Sequence, residues 1–171
     1  MEALIKKWVP LRARCFFANL LQNYRLSAQR ILKIYGVILV LIPLAFGAMV
    51  WLQSQMQGAS VMHLVRQEPV ISISMVVAFS DFILGYYLLL KQHQVLASQK
   101  TFRFFMAWQC LGQLLMGNFI CAFLAFCGSY QARHINPTQK TNPELQGLTI
   151  MLTCLYLICF GFLVTILIHS L

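Results

Sequence analysis

The sequence predicts an all-α integral membrane protein: four antiparallel transmembrane helices in one bundle, preceded by a basic amphipathic helix at the membrane surface. Three observations predict it. Of 171 residues, 60% are apolar and only 10% are charged, whereas a soluble domain carries about a quarter charged. The apolar residues run in unbroken blocks, and each block reaches the roughly 20 residues that a helix needs to cross a bilayer. The remaining charge is mostly basic and collects at particular block ends, as it does in cytoplasmic segments.

The first element is MEALIKKWVPLRARCFFANLLQNYRLSAQR, residues 1–30. After Pro10 its apolar residues Phe17, Leu21, Tyr24 and Ala28 recur every three or four positions, continuing to Ile31, while Arg14, Arg25 and Arg30 spread over the rest. With Lys6, Lys7 and Arg12, such a helix would lie along anionic headgroups with its basic face down. A docking helix for a larger membrane complex is the sharper alternative. Cys15 is a weak lipidation candidate.

The membrane domain follows over 31–171. Its first block, ILKIYGVILVLIPLAFGAMVWL (31–52), lies too far into the chain, and is too long, for an ordinary cleaved signal peptide. It reads as an uncleaved span with Pro43 at its centre, a residue that kinks a helix. The second block is VISISMVVAFSDFILGYYLLL (70–90). The third is FRFFMAWQCLGQLLMGNFICAFLAFC (102–127), and the fourth is LTIMLTCLYLICFGFLVTILIH (148–169). Short connections predict that consecutive helices are antiparallel neighbours.

Charge orients the bundle. Seven of the 13 basic residues, the six of the surface segment and Lys33, precede or open the first block. Lys91, Lys100 and Arg103 flank the second connection, against Arg66 in the first and Arg133 and Lys140 in the third. Both termini and the 91–101 loop are therefore expected in the cytoplasm, with the bundle in the plasma or inner membrane. The net charge of +9 is an orientation signal and gives no reason to expect nucleic acid as a partner.

Asp81 stands in the middle of the second block, where a carboxylate is costly and usually faces the bundle or a wet cavity. Ser74, Ala78, Asp81 and Gly85 share one helix face, and small residues there admit another helix closely. In the third block Gln109, Gln113, Gly117 and Cys121 recur every four residues, with Gly112 on the same side. At about 1.5 Å of rise per residue, Asp81 and Gln113 come level near the bilayer centre, and Asn118 comes level with Ala78. The expectation is that the second and third helices pack through these strips, with Gln113 bonded to Asp81. The acid then serves either as a polar clasp holding helices in register or as a proton or cation site on a transport path.

Catalytic patterns are wanting. The six cysteines contain no Cys-x-x-Cys pair, although Cys121 and Cys154 come to similar depth. His63, His93, His134 and His169 are scattered, so no metal site is expected. No Ser-His-Asp grouping, HExxH or Gly-rich phosphate loop occurs. The sequence thus favours a non-catalytic accessory, assembly or immunity/exclusion-type protein without a cofactor, binding anionic lipid and another membrane protein or itself. A proton-coupled carrier or channel through Asp81 comes second, and a membrane thiol-redox enzyme third.

Overall fold

A computed structural model of the chain describes residues 27–58, 60–135 and 143–170. The expected surface helix therefore falls outside the described residues, except that Ala28 to Arg30 form the first turn of helix α1. Among the described residues the chain is all-helical. Three helices are long and apolar enough to cross a membrane: α1 (Ala28–Gln57), α3 (Pro69–Leu90) and α7 (Pro143–Ser170).

Ser27 caps α1, its hydroxyl accepting from the Arg30 amide, and Gly58 closes it in the left-handed conformation at φ 62°. The short helix α2 (Val61–Gln67) starts at the Ser60 cap and ends at Glu68. Pro69 then opens α3, where its missing N–H costs nothing. The Ser72 hydroxyl donates back to the Val65 carbonyl, tying α2 to α3. After α3 comes a single turn, α4 (Gln92–Val95), which buries Val95. Ser98 caps the next helix, α5 (Gln99–Leu115).

At this point the structure departs from the expected third span. Residues 102–127 do not form one helix. α5 stops at Leu115, and α6 (Phe119–Gln131) begins after a turn of three residues. The cause is local. Gly117 sits at φ 75°, its N–H donates to the Leu114 carbonyl, and the Asn118 N–H donates to the Gln113 carbonyl. This is the Schellman pattern of a helix C-terminus. Asn118 at once caps the following helix, its side-chain oxygen accepting from the Cys121 amide at 3.3 Å.

The turn sends α6 back along α5 as a helical hairpin. A Cβ placed on Gly128 would lie 3.1 Å from the Met106 sulfur. In an unbroken helix those two residues would stand about 33 Å apart. Cys127 and Tyr130 likewise return to Ile31, at the start of α1. A short 3₁₀ turn, Ala132–His134, ends the hairpin beside α5.

The three long helices alternate in direction. α1 and α3 run antiparallel, with Gly36 and Leu39 against Gly85, and Phe46 meeting Ile73 and Ser74 further along. α7 also opposes α3: Glu144 lies within electrostatic range of Tyr87, Tyr156 reaches Asp81, and Leu163 comes near Ile73. α1 and α7 are therefore parallel. The start of α1 and the end of α7 lie at opposite ends of the molecule, contrary to the expectation of a fourth crossing that returns both to one face. That expectation took the hairpin for a span.

Packing is uneven along the long axis. The core joins Tyr35, Leu39, Leu84, Leu88, Phe102, Phe105, Met106, Leu152 and Tyr156, all at the end where the hairpin lies. In α3 the buried residues are Asp81, Leu84, Gly85 and Leu88. In α7 burial ends at Cys159. Beyond the hairpin's tip neither helix has a fully buried residue.

Candidate functional site

Asp81 is the last buried position on α3 before the packing opens, and it is only 4% exposed. Two donors from two other helices reach it. Gln113 Nε2 of α5 donates at 2.7 Å, and the Tyr156 hydroxyl of α7 donates at 2.5 Å. Both land on Oδ1 and neither uses Oδ2. One turn below Gln113, Gln109 Oε1 accepts from the Tyr35 hydroxyl of α1 at 3.3 Å. A line of polar groups thus ties all three long helices to the hairpin in otherwise apolar surroundings.

Two buried polar atoms on that line lack a partner: Gln109 Nε2 and Gln113 Oε1. One is a donor and the other an acceptor, four residues apart on one helix face, where side chains are neighbours. They are complementary. Joined to each other they would complete one chain from Tyr35 to Asp81 and spare a desolvation cost of about 1–3 kcal/mol per orphaned group.

The other residues singled out from sequence are distributed as follows. Gly85 faces α1: an added Cβ would lie 2.9 Å from the Gly36 carbonyl oxygen. Gly112 faces α7, with its Cβ position 2.5 Å from the Tyr156 ring. The expected contact of α3 with α5 through two small-residue strips is therefore replaced. Those helices approach little along their backbones and meet through the Gln113 and Asp81 side chains. Gly117 makes the hairpin turn, and Asn118 caps α6 while bordering the same cavity as Ala78. Arg30 is exposed in the first turn of α1, while Lys6, Lys7, Arg12, Arg14 and Arg25 lie outside the described residues.

Ser74, Ala78 and Asp81 line a cavity of ≈350 Å³ directly beyond the hairpin tip. Its other walls are Ile42, Pro43 and Phe46 of α1, Met116 to Asn118 at the tip, and Leu163 of α7. Pro43 contributes twice. It lacks the N–H that would bond the Leu39 carbonyl, and it borders a second cavity of ≈260 Å³ with Gly47, Ala78 and Phe82.

Cysteine chemistry finds no such gathering. Cys110, Cys121, Cys127, Cys154 and Cys159 are free thiols. Cys121 is buried on α6 while Cys154 is exposed on α7, and those two helices are not close neighbours. Among the described residues no group of three or more His, Cys, Asp or Glu comes together.

Sequence reasoning missed Tyr35 and Tyr156. A signal existed: a phenol within an apolar span needs a hydrogen-bond partner, and Asp81 with the two glutamines offered polar groups to meet it. The fold and the site together define, among the described residues, an all-helical protein with three helices able to cross a membrane and a polar knot that joins them. Comparison with protein-family models, curated proteins and solved structures finds no match to this chain.

Proposed function

We propose that the chain is a membrane-embedded, non-catalytic interaction protein, an accessory, assembly or immunity/exclusion-type component, in which Asp81 is a structural clasp. In this reading α1, α3 and α7 cross the bilayer, and α5 with α6 forms a re-entrant hairpin entering from the cytoplasmic face. The N-terminal segment lies with its basic residues on anionic lipid in the plasma or inner membrane. Irregular backbone at mid-membrane is tolerated only where protein or a cavity surrounds it, and the 116–118 turn meets that condition.

The observation that carries the reading is the unequal packing. The cytoplasmic half is filled by five helical segments. Beyond the hairpin tip no residue of α3 or α7 is fully buried, and Phe79, Phe162 and Ile168 are exposed. A partner's transmembrane segment fits the exposed outer faces of α3 and α7 that carry Phe79 and Phe162. The filled half also argues against a conduit, because Leu39, Leu84, Leu88, Phe102 and Phe105 are fully buried between Asp81 and the cytoplasm.

The test is site-specific photo-crosslinking in native membranes. A photoreactive residue at Phe79 or Phe162 should capture a discrete membrane protein, or a second copy of the chain. The same residue at Leu114, exposed on the hairpin, should not capture that product. Capture of lipid alone from both outer positions refutes the reading.

One observation favours a second reading, a proton-coupled carrier: the hairpin break lies beside a buried acid, and interrupted helices mark transport sites. Reconstitution alone in liposomes with a pH-sensitive dye separates the two. Gradient-driven flux in the wild type that disappears in Asp81→Asn selects the carrier.

A further inference from the structure

The clasp engages one oxygen of Asp81. Asp81 belongs both to the polar knot and to the wall of the ≈350 Å³ space beyond the tip, yet both of its hydrogen bonds converge on Oδ1. Among the described residues no Lys, Arg or His lines that space. Its walls among the described residues are mainly aliphatic, with the aromatic Phe46 and the neutral polar side chains of Ser74 and Asn118. Pockets of a few hundred Å³, apolar with few convergent polar groups, are of the size and character that hold small molecules.

We infer that this cavity is a binding site for a lipophilic organic monocation, an amine or ammonium carrying an apolar group of about phenyl size. The ammonium sits on Asp81 Oδ2. Phe46 offers an aromatic face to the cation, and Ile42, Ile73, Val77 and Leu163 enclose the apolar part. Charge selects the ligand. A carboxylate at mid-membrane without a basic neighbour is unfavourable by itself, so a cation gains there what a neutral molecule of equal shape does not. Anions are excluded by the same carboxylate. The open outer half supplies the entry, because neither α3 nor α7 is fully buried on that side of Asp81. Binding needs neither transport nor a protein partner, so it stands apart from the interaction reading.

The experiment is equilibrium dialysis of the full chain in phosphatidylcholine nanodiscs against radiolabelled 2-phenylethylammonium, with 2-phenylethanol as the uncharged probe and empty discs subtracted. Wild type should bind the ammonium saturably, one per chain, and at least ~30-fold more tightly than the alcohol, the least expected when one member of a buried charge pair is lost. Asp81→Asn keeps an acceptor for Tyr156 and Gln113 and should fold, yet it should lose that preference. Ala78→Phe fills the cavity while leaving the acid in place, and should abolish binding of both probes. Met151→Leu, on the lipid-facing side of α7, should change nothing. Circular dichroism and thermal unfolding establish that each variant is folded. The inference is overturned if wild type shows no saturable uptake, if the alcohol binds equally well, or if folded Asp81→Asn or folded Ala78→Phe retains wild-type affinity for the ammonium. Photo-crosslinking at Phe162 is indifferent to all of these outcomes, so the two proposals fail separately.

Discussion

Gly112 is where the backbone of α5 and the acid of α3 are coupled through a third helix, so a single methyl group there tests the knot. A Cβ at residue 112 would stand 2.5 Å from Cδ2 and 3.0 Å from Cε2 of Tyr156. Carbon atoms settle at about 3.5–4.0 Å, so the ring must withdraw by about 1 Å. The ring is packed on every side, with 1% of the residue exposed. Withdrawal also pulls the hydroxyl from its 2.5 Å bond to Asp81, to a distance at the limit of hydrogen bonding. Overpacking of this kind costs about 1–3 kcal/mol, and an interhelical hydrogen bond within a membrane adds about 0.6 kcal/mol. Gly112→Ala should therefore destabilise the folded state by roughly 2–3 kcal/mol. The assay is reversible unfolding in mixed micelles titrated with sodium dodecyl sulfate, followed by circular dichroism. Tyr156→Leu, costly alone, should largely remove the penalty of Gly112→Ala, because the ring that blocks the methyl group is gone. Strictly additive effects of the two changes, or a neutral Gly112→Ala, would refute the packing described here.

The same unfolding assay serves two further predictions. Asp81→Asn should be mild, since an amide oxygen still accepts from Gln113 and Tyr156. Asp81→Leu should be worse, and its coupling to Gln113→Leu should be about 0.6 kcal/mol, at most about 1.7. Gly117→Ala should cost roughly 1–2 kcal/mol for the left-handed backbone alone, as no atom crowds that position. Gly47→Ala, helical and equally uncrowded, should instead stabilise by up to about 1 kcal/mol. For topology, single cysteines in a Cys-free background should react with an impermeant reagent from outside at Gln57 and His169. Those at Lys91 and Glu144 should react only after permeabilisation, and labelling of Glu144→Cys in intact cells would restore the four-span arrangement.

Three of the long apolar helices are legible in the sequence because length and composition determine them. The third block misleads for the same reason. At 26 residues, 102–127 satisfies the length rule, and that rule cannot see a turn made by two residues. Gly117 followed by Asn118 was the available sign: a glycine that ends a helix and an asparagine that starts one. Depth matching puts Asp81 and Gln113 at one level, and it holds for α5 whether or not the chain then turns back. It says nothing about neighbours in the plane of the membrane. Gly85 therefore goes to α1, Gly112 goes to α7, and the tyrosines that complete the knot come from helices without a charge of their own at that depth.

The turn at Gly117 also changes what the basic residues say. If 102–127 crossed the membrane, Arg133 and Lys140 would join Arg66 outside, leaving ten of 13 basic residues on the cytoplasmic face. With α6 returning beside α5, the chain between α6 and α7 starts and ends at the hairpin's open end, the end at which α1 begins. Arg133 then lies at the same end as Arg30 and Lys33, and Arg66 is at the other. Lys and Arg in short loops near span ends set orientation, so the arrangement with three crossings obeys that rule more completely than the one with four. The packing and the charge pattern are independent in origin, one made by side-chain contacts and the other by insertion. The packing shows the chain turning back between Leu115 and Phe119, and the charge pattern is compatible with that turn. The hairpin then brings Gln113 up to Asp81 and stops there, which leaves the outer side of the acid open to the cavity.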